Sequence, residues 1–360
     1  MKSIFWITGD YFLDVDMAIV PELKKNYDIR WVVVRTGNSP REVSFVKAIN
    51  EIITIRHRSI SPMCIFSYRK VINSIKKANP DIVYVNYLGM PYFFPLLCNM
   101  IDIRKVIFMA HNVEPRPTWN WQYKLYYPYI FRHLYHVHIP STHNIPFIED
   151  HYPNLRYTYI PMMVKSFGEP KRKANTNKKV RFLFFGHVMR NKRLDHLIRA
   201  YCELSDEEKS KSELYVYGKC AEPEKYLLMA KDENSIHLSF GYAPNEIIAQ
   251  VFTESSFLVL PYDNVDQSGP SMIAYNYNLP LICSDLEGFK EIVEDGVNGF
   301  LYAKNDIDSL RKVLQRCIVM SSDDYQALKE NLADFVCNNF TLDVISRKYS
   351  AMFDQFIKES

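Results

Sequence analysis

Short, continuous apolar runs alternate with segments of helical period along the chain, in two successive series split by a polar, basic stretch. In the first series the strand-like runs are residues 3–8, 30–35, 52–55, 82–85, 106–110, 136–139 and 157–160, with helical period between them, as in 65–77. In the second they are 180–185, 214–217, 236–238, 257–260, 279–283 and 299–302, with helical segments at 194–204, 244–252 and 269–278. Short apolar strands separated by helices belong in parallel sheets covered on both faces. From residue 307 onward the pattern is wholly helical. The stretch 166–179, SFGEPKRKANTNKK, lacks apolar period and reads as a linker. The expected fold class is therefore α/β, with two halves of similar size, each long enough to bury its own core, and a cleft between them.

Composition narrows the function classes. The first apolar run is only five residues long before Gly9 and Asp10, so it reads as a buried strand rather than a signal core. No stretch reaches the roughly 18 apolar residues that a bilayer span requires. Seven scattered cysteines without a C-x-x-C pair read as reduced thiols of a cytoplasmic protein, and no His/Cys cluster has zinc spacing, so no metal is expected. Charge is divided unevenly: residues 1–170 carry 20 Lys and Arg against 13 Asp and Glu, and residues 182–360 carry 18 against 28. A basic front half suits phosphate groups or an anionic membrane surface, although ordinary surface variation gives the same count. The basic residues form no nucleic-acid motif and the second half is acidic, so a nucleic-acid partner is not expected.

Ligands of open α/β sheets bind beyond the carboxyl ends of the strands, so chemistry belongs in the loops just after them. After 257–260 comes PYDNVDQSGPSMIAY, in which Gln267-Ser268-Gly269 opens a helix with Pro270 in its first turn. Free N–H groups and the positive dipole end at such a start suit a phosphate, and Gly269 allows close approach. A plain Ser N-cap with a glycine turn would look the same. After 180–185 comes GHVMRNKR, with Gly186 at the turn and Arg190, Lys192 and Arg193 ahead of a helix. Cations there oppose the helix dipole, so a diphosphate explains them better than helix stability does, although a solvated basic turn remains an alternative. After 279–283, Asp285, Glu287 and Glu291 are candidate partners of ribose or sugar hydroxyls, or a charged surface turn. In the first half, His111-Asn112 follows a strand; such a His hydrogen-bonds a sugar hydroxyl, shuttles a proton, or merely caps the strand. The aromatic and basic segment 116–136 suits a membrane interface, an acceptor glycan or a packed helix.

Taken together, FLFFGHVMRNKRLDHLIRA, LVLPYDNVDQSGPSMIAY and LPLICSDLEGFKEIVEDGVNGFLY, in this order and spacing, resemble the donor domain of glycosyltransferase family 4 over residues 180–302. The first half matches more loosely, through His111-Asn112 and HVHIPSTHNI with its Ser141. The resemblance implies the GT-B fold: an acceptor-side Rossmann-like domain at 1–165, a linker at 166–179, a donor-binding Rossmann-like domain at 180–340, and a helix at 341–360 returning to the first domain. It implies a retaining transferase that takes a sugar from a nucleotide-sugar donor to a glycan or lipid-linked glycan acceptor without a metal or other cofactor. Bacterial surface polysaccharide synthesis, in the cytoplasm or on the inner face of its membrane, is the expected setting. Lys192 matches the phosphate-binding lysine, with Arg190 beside it and His111 orienting a sugar; these three are the expected catalytic residues. Gly186, Arg193, Asp266, Gln267, Ser268, Gly269 and Glu291 are the expected donor-binding residues.

The sequence departs from the family in three places. The first loop, TGDYFLDVD, lacks the double glycine, His187 replaces an arginine, and Ala274 stands eight positions after Asp266 where a ribose-binding glutamate is usual. A subgroup with the Gln-Ser-Gly form also lacks that glutamate. Two further readings share the architecture: a non-catalytic glycosyltransferase-like binding subunit and a sugar-nucleotide 2-epimerase.

Overall fold

The computed structural model describes residues 1–37, 46–57, 61–89, 91–115, 121–171, 179–265 and 267–359. The chain divides into two compact units, residues 1–162 with 342–360, and residues 163–341.

In the first unit the strands are β1 (Ser3–Gly9), β2 (Asp28–Thr36), β3 (Glu51–Ile55), β4 (Ile82–Asn86), β5 (Val106–Met109), β6 (His136–Ile139) and β7 (Arg156–Tyr159). They form one sheet in the order β3-β2-β1-β4-β5-β6-β7, parallel throughout. The helices between them are α1 (Leu13–Leu23), α2 (Cys64–Ala78), α3 (Phe93–Met100), α4 (Trp121–His133) and α5 (Ile145–His151). The apolar runs follow from position in the sheet: all five residues of β4 are buried, because helices cover both faces.

The second unit repeats the plan with β8 (Val180–Phe185), β9 (Ser212–Gly218), β10 (Ile236–Phe240), β11 (Phe257–Leu260), β12 (Leu281–Ser284) and β13 (Gly299–Tyr302), in the order β10-β9-β8-β11-β12-β13. Its helices are α6 (Leu194–Cys202), α7 (Asp206–Ser210), α8 (Pro223–Met229), α9 (Asn245–Glu254), α10 (Gly269–Asn276), α11 (Glu287–Lys290), α12 (Ile307–Ile318) and α13 (Ser322–Asn339). The last residues expected in the first domain and the start of the expected linker are part of this unit: Val164 N–H donates to Phe340 O at 3.0 Å and Lys165 N–H to Met272 O at 3.1 Å, and in the linker Phe167 N–H donates to the Tyr277 hydroxyl at 2.8 Å. Residues 172–178 lie outside the described residues.

The last helix, α14 (Leu342–Glu359), packs on the first unit. Its Tyr349 and Phe353 lie against Trp6 and Tyr84, with centroid distances of 5.6 to 6.1 Å, and the Tyr27 hydroxyl donates to Asp354 at 2.9 Å. Burying each such aromatic contributes about 1.5–3 kcal/mol. Much of the chain's aromatic content is spent this way. In α4, Tyr126, Tyr127, Ile130 and Phe131 are buried, while Trp121 and Leu125 are about two-thirds exposed, at 70% and 66%. No helix of the described residues is long and apolar enough to cross a membrane.

In each sheet the strand order reverses direction once, between β1 and β4 in the first and between β8 and β11 in the second. Such a switch opens a crevice beyond the carboxyl ends of the two strands. In the second unit the loops at that point are 186–193 and 261–268.

Candidate donor site and a buried polar network

The loop after β8 is shaped by two glycines. Gly186 has φ +118°, a conformation that L side chains rarely adopt. Its carbonyl oxygen would lie 1.8 Å from a Cβ on Gly218, at the end of β9, so the two strand ends touch through bare backbone. The chain then makes a single 3-10 turn, Arg190–Lys192, and enters α6 through Arg193 in the left-handed region, with φ 44° and ψ 43°. A non-glycine residue there costs roughly 1–2 kcal/mol. The Arg193 side chain offsets this: it donates to Asn305 Oδ1 at 2.8 Å and pairs with Asp195 at 3.3 Å. Arg193 thus serves the loop's own geometry, whereas Arg190 is exposed.

The loop after β11 runs alongside. Asp263 N–H donates to Asn191 O at 2.9 Å, and Asn191 Nδ2 to Asn264 Oδ1 at 3.2 Å. The two loops meet at Gly186, where an added Cβ would stand 3.2 Å from Lys192 Nζ and 3.4 Å from Pro270 Cγ. Lys192 Nζ also sits over the ring of buried Tyr262, 5.1 Å from its centroid. No carboxylate of the described residues pairs with it, and burial alone holds its pKa below the ordinary lysine value. A desolvated cation without a counter-ion can take up an anion.

The start of α10 lies beside Gly186 through Pro270. Ser268 is its N-cap, buried, with its hydroxyl accepting from Ser271 N–H at 3.4 Å. Gly269 needs neither a positive φ nor room within the protein: a Cβ there would meet no atom within 4 Å. Open space lies in front of the helix's first turn, whose N–H groups and dipole favour negative charge. Gln267 is partly buried, and Asp266 lies outside the described residues.

The acids after β12 divide. Asp285 accepts from Lys304 N–H at 2.8 Å and Glu287 pairs with Lys290 at 2.8 Å, so both serve local structure. Glu291 is partly buried at the end of α11. Its neighbour Ile292 accepts, at its carbonyl, the hydroxyl of Tyr275 at 2.5 Å, next to the fully buried Ala274. Glu291 is therefore on the segment packed against the position where the family glutamate is missing.

In the first unit, His111 lies two residues past the end of β5. Its Nε2 is 2.7 Å from Asn86 Oδ1, and its ring stacks on Phe12 at 3.7 Å and 13°. Behind it, Asn86 Nδ2 donates to Asp16 at 3.1 and 3.2 Å. Trp6 Nε1 and the Thr8 hydroxyl donate to the same carboxylate at 2.9 and 2.5 Å. Burial, and secondarily His138, holds His111 down at about 3, so it is neutral near pH 7. Burial pushes Asp16 up to about 6 against the pull of its hydrogen bonds from Thr8, Trp6 and Asn86. The sequence reading missed Tyr262, Asn86 and Asp16. Asn86 carried a usable signal, since it ends the strand at the switch point of the first sheet; Asp16 carried none.

Comparison with known proteins fits this geometry. Residues 179–319 match the family described as Glycosyl transferases group 1. An uncharacterized glycosyltransferase of Methanocaldococcus jannaschii is 23% identical over 197 residues, 54% of this chain and 50% of that protein, so the chain spans about half the length of the curated relative it matches. Among solved structures, sucrose-phosphate synthase of Thermosynechococcus elongatus has the same fold with a TM-score of 0.79 at 14% identity, covering 100% of both chains. Anabaena HepE, solved in complex with UDP and glucose, has a TM-score of 0.74 at 13% identity, covering 99% of this chain and 100% of its own. The architecture is the GT-B fold, with two Rossmann-like units.

Proposed function

We propose that this chain transfers a sugar from a nucleotide-sugar donor to a glycan acceptor, a reading supported by the match of residues 179–319 to the group 1 glycosyl transferases. The observation that carries the reading is the Lys192 ammonium, desolvated beside Gly186, without a carboxylate partner among the described residues, at the loop that also opens α10. Glycosyl transfer builds an oxocarbenium-like centre and releases a diphosphate, so the leaving charge must be neutralised where it develops. Lys192, with Arg190 and the first N–H groups of α10, would meet the two phosphates. Gly186 and Gly269 leave room for them, and Ser268 and Gln267 line the approach. Asp266, by its place in the sequence, and Glu291 are the acids proposed for the ribose and sugar hydroxyls.

The resemblance to family 4 supports retention of configuration. A front-face transfer fits, in which the departing phosphate takes the acceptor's proton and His111 orients a sugar. Positive charge comes from the protein, so turnover is expected to persist in EDTA. HepE's complex makes UDP-hexoses the first donors to try. The exposed Trp121 and Leu125, with Lys124 between them, support a lipid-linked acceptor at an anionic membrane surface, as surface polysaccharide assembly on the cytoplasmic face would need.

The test is a nucleotide-sugar panel, read first by thermal shift and then by product analysis with and without acceptor glycans. Ligand binding to the folded state raises the melting temperature. Transfer with retained anomeric configuration supports the reading. Epimerised donor without acceptor, or tight nucleotide binding with no turnover on any acceptor, overturns it in favour of a 2-epimerase or a non-catalytic binding subunit.

A further inference from the structure

We propose that Asp16 and Asn86 are positioning residues that hold His111 as the Nε2–H tautomer, leaving Nδ1 as a bare acceptor for a neutral sugar hydroxyl. The ligand's identity rests on the transfer reading above; the hydrogen-bond directions do not.

Those directions follow from the indole end with Asp16 ionised, as it is above about pH 6. An indole N–H can only donate. Trp31 Nε1 donates to Thr8 Oγ1 at 2.8 Å, and the Thr8 proton then goes to Asp16. Trp6 Nε1 donates to the same carboxylate. An ionised carboxylate only accepts, so Asn86 must present its NH2 to Asp16. That turns Asn86 Oδ1, an acceptor only, toward His111 Nε2, which must then carry the proton. A neutral imidazole has one N–H, so Nδ1 keeps a lone pair. No described residue bonds to it, and the Phe12 stack holds the ring plane.

A lone pair without a proton attracts a hydroxyl and repels the oxygens of a carboxylate or phosphate. The group that meets His111 is therefore a neutral sugar hydroxyl, not the carboxylate of a uronic acid. The intervening amide also matters. It passes on orientation from Asp16 but keeps the carboxylate from stabilising an imidazolium, so His111 accepts a hydrogen bond rather than taking a proton.

Asp16→Asn reverses the wiring. The new amide must turn its oxygen to Trp6 and Thr8, so its NH2 faces Asn86. Asn86 then turns over, offers its own NH2 to Nε2, and the histidine proton moves to Nδ1. The experiment is a two-bond 1H–15N correlation on the full chain labelled at histidine, at pH 7.5, with His111 assigned from its absence in His111→Asn. The expected result is protonated Nε2 and bare Nδ1 in the wild type and the reverse in Asp16→Asn. The variant should keep the wild-type Kd for UDP, while kcat with a UDP-hexose falls about 10–100-fold. Protonated Nδ1 or a charged ring in the wild type, or an unchanged tautomer in folded Asp16→Asn, overturns the proposal. If the variant does not fold, the wild-type spectrum alone decides the tautomer. A wild type with the expected tautomer that turns over no nucleotide sugar contradicts the transfer reading and leaves the wiring standing.

Discussion

The Lys192 ammonium lies 5.1 Å from the centre of the Tyr262 ring and is the cation nearest to an added Cβ at Gly186. The ring face offsets about 1–2 kcal/mol of the ammonium's desolvation, but no described carboxylate completes the task. Residues kept for binding often cost stability. Lys192→Met, which preserves packing on Tyr262, should therefore leave the melting temperature of the free protein equal or higher, as read by calorimetry. A clear fall would mean that Lys192 holds the loop together instead.

Gly269 separates ligand from structure. A Cβ there meets nothing in the protein and the backbone is unstrained, so Gly269→Ala should stabilise the free protein by roughly 0.4–1 kcal/mol. If a phosphate occupies the open space before α10, the same methyl group should weaken nucleotide binding about tenfold or more. Unfolding curves and titration calorimetry on one variant give both numbers.

The two arginines flanking Lys192 should behave in opposite ways. Arg193 is tied to Asn305 and Asp195 beneath a left-handed turn, so Arg193→Ala should lower stability by about 1–2 kcal/mol. Arg190 is exposed, so Arg190→Ala should change stability by less than about 0.5 kcal/mol. It should instead weaken nucleotide affinity and its salt dependence.

Stability against pH should carry the mark of Asp16. Its folded-state pKa of about 6 lies above the unfolded value near 3.8, so the folded state binds more protons between those values. Its share of stability therefore falls as pH rises from about 4 to 6, by roughly 3 kcal/mol. His111, at about 3, and His138, at about 4, work in the opposite sense, adding stability as pH rises toward 6.5. Asp16→Asn removes only the first effect. Denaturant melts between pH 4 and 6 should show a steeper rise of stability with pH in the variant than in the wild type.

The strands were legible because burial on both faces turns each into a continuous apolar run: 180–185 and 257–260 are β8 and β11 to the residue. The Lys192 and Gln267-Ser268-Gly269 loops were legible because both directly follow strand ends, and an added Cβ at Gly186 would stand 3.2 Å from Lys192 Nζ and 3.4 Å from Pro270 Cγ, the residue after Gly269. Helix ends were less so: the segment read as 194–204 ends at Cys202, and the helical tail breaks into α12, α13 and α14. What stayed hidden depends on contacts distant in sequence. Arg193 looked like a phosphate ligand until its pairing with Asn305, 112 residues on, became visible. Asp16 went unread, because nothing local shows that Trp6, Thr8 and Asn86 converge on it.

The most direct measurement is calorimetric titration of UDP into the wild type and Lys192→Met, paired with sugar transfer from the matching UDP-hexose. The account predicts saturable binding in the wild type, about 10–100-fold weaker in the variant, with transfer lost in step. Equal nucleotide affinity in the two proteins would contradict a diphosphate site at Lys192.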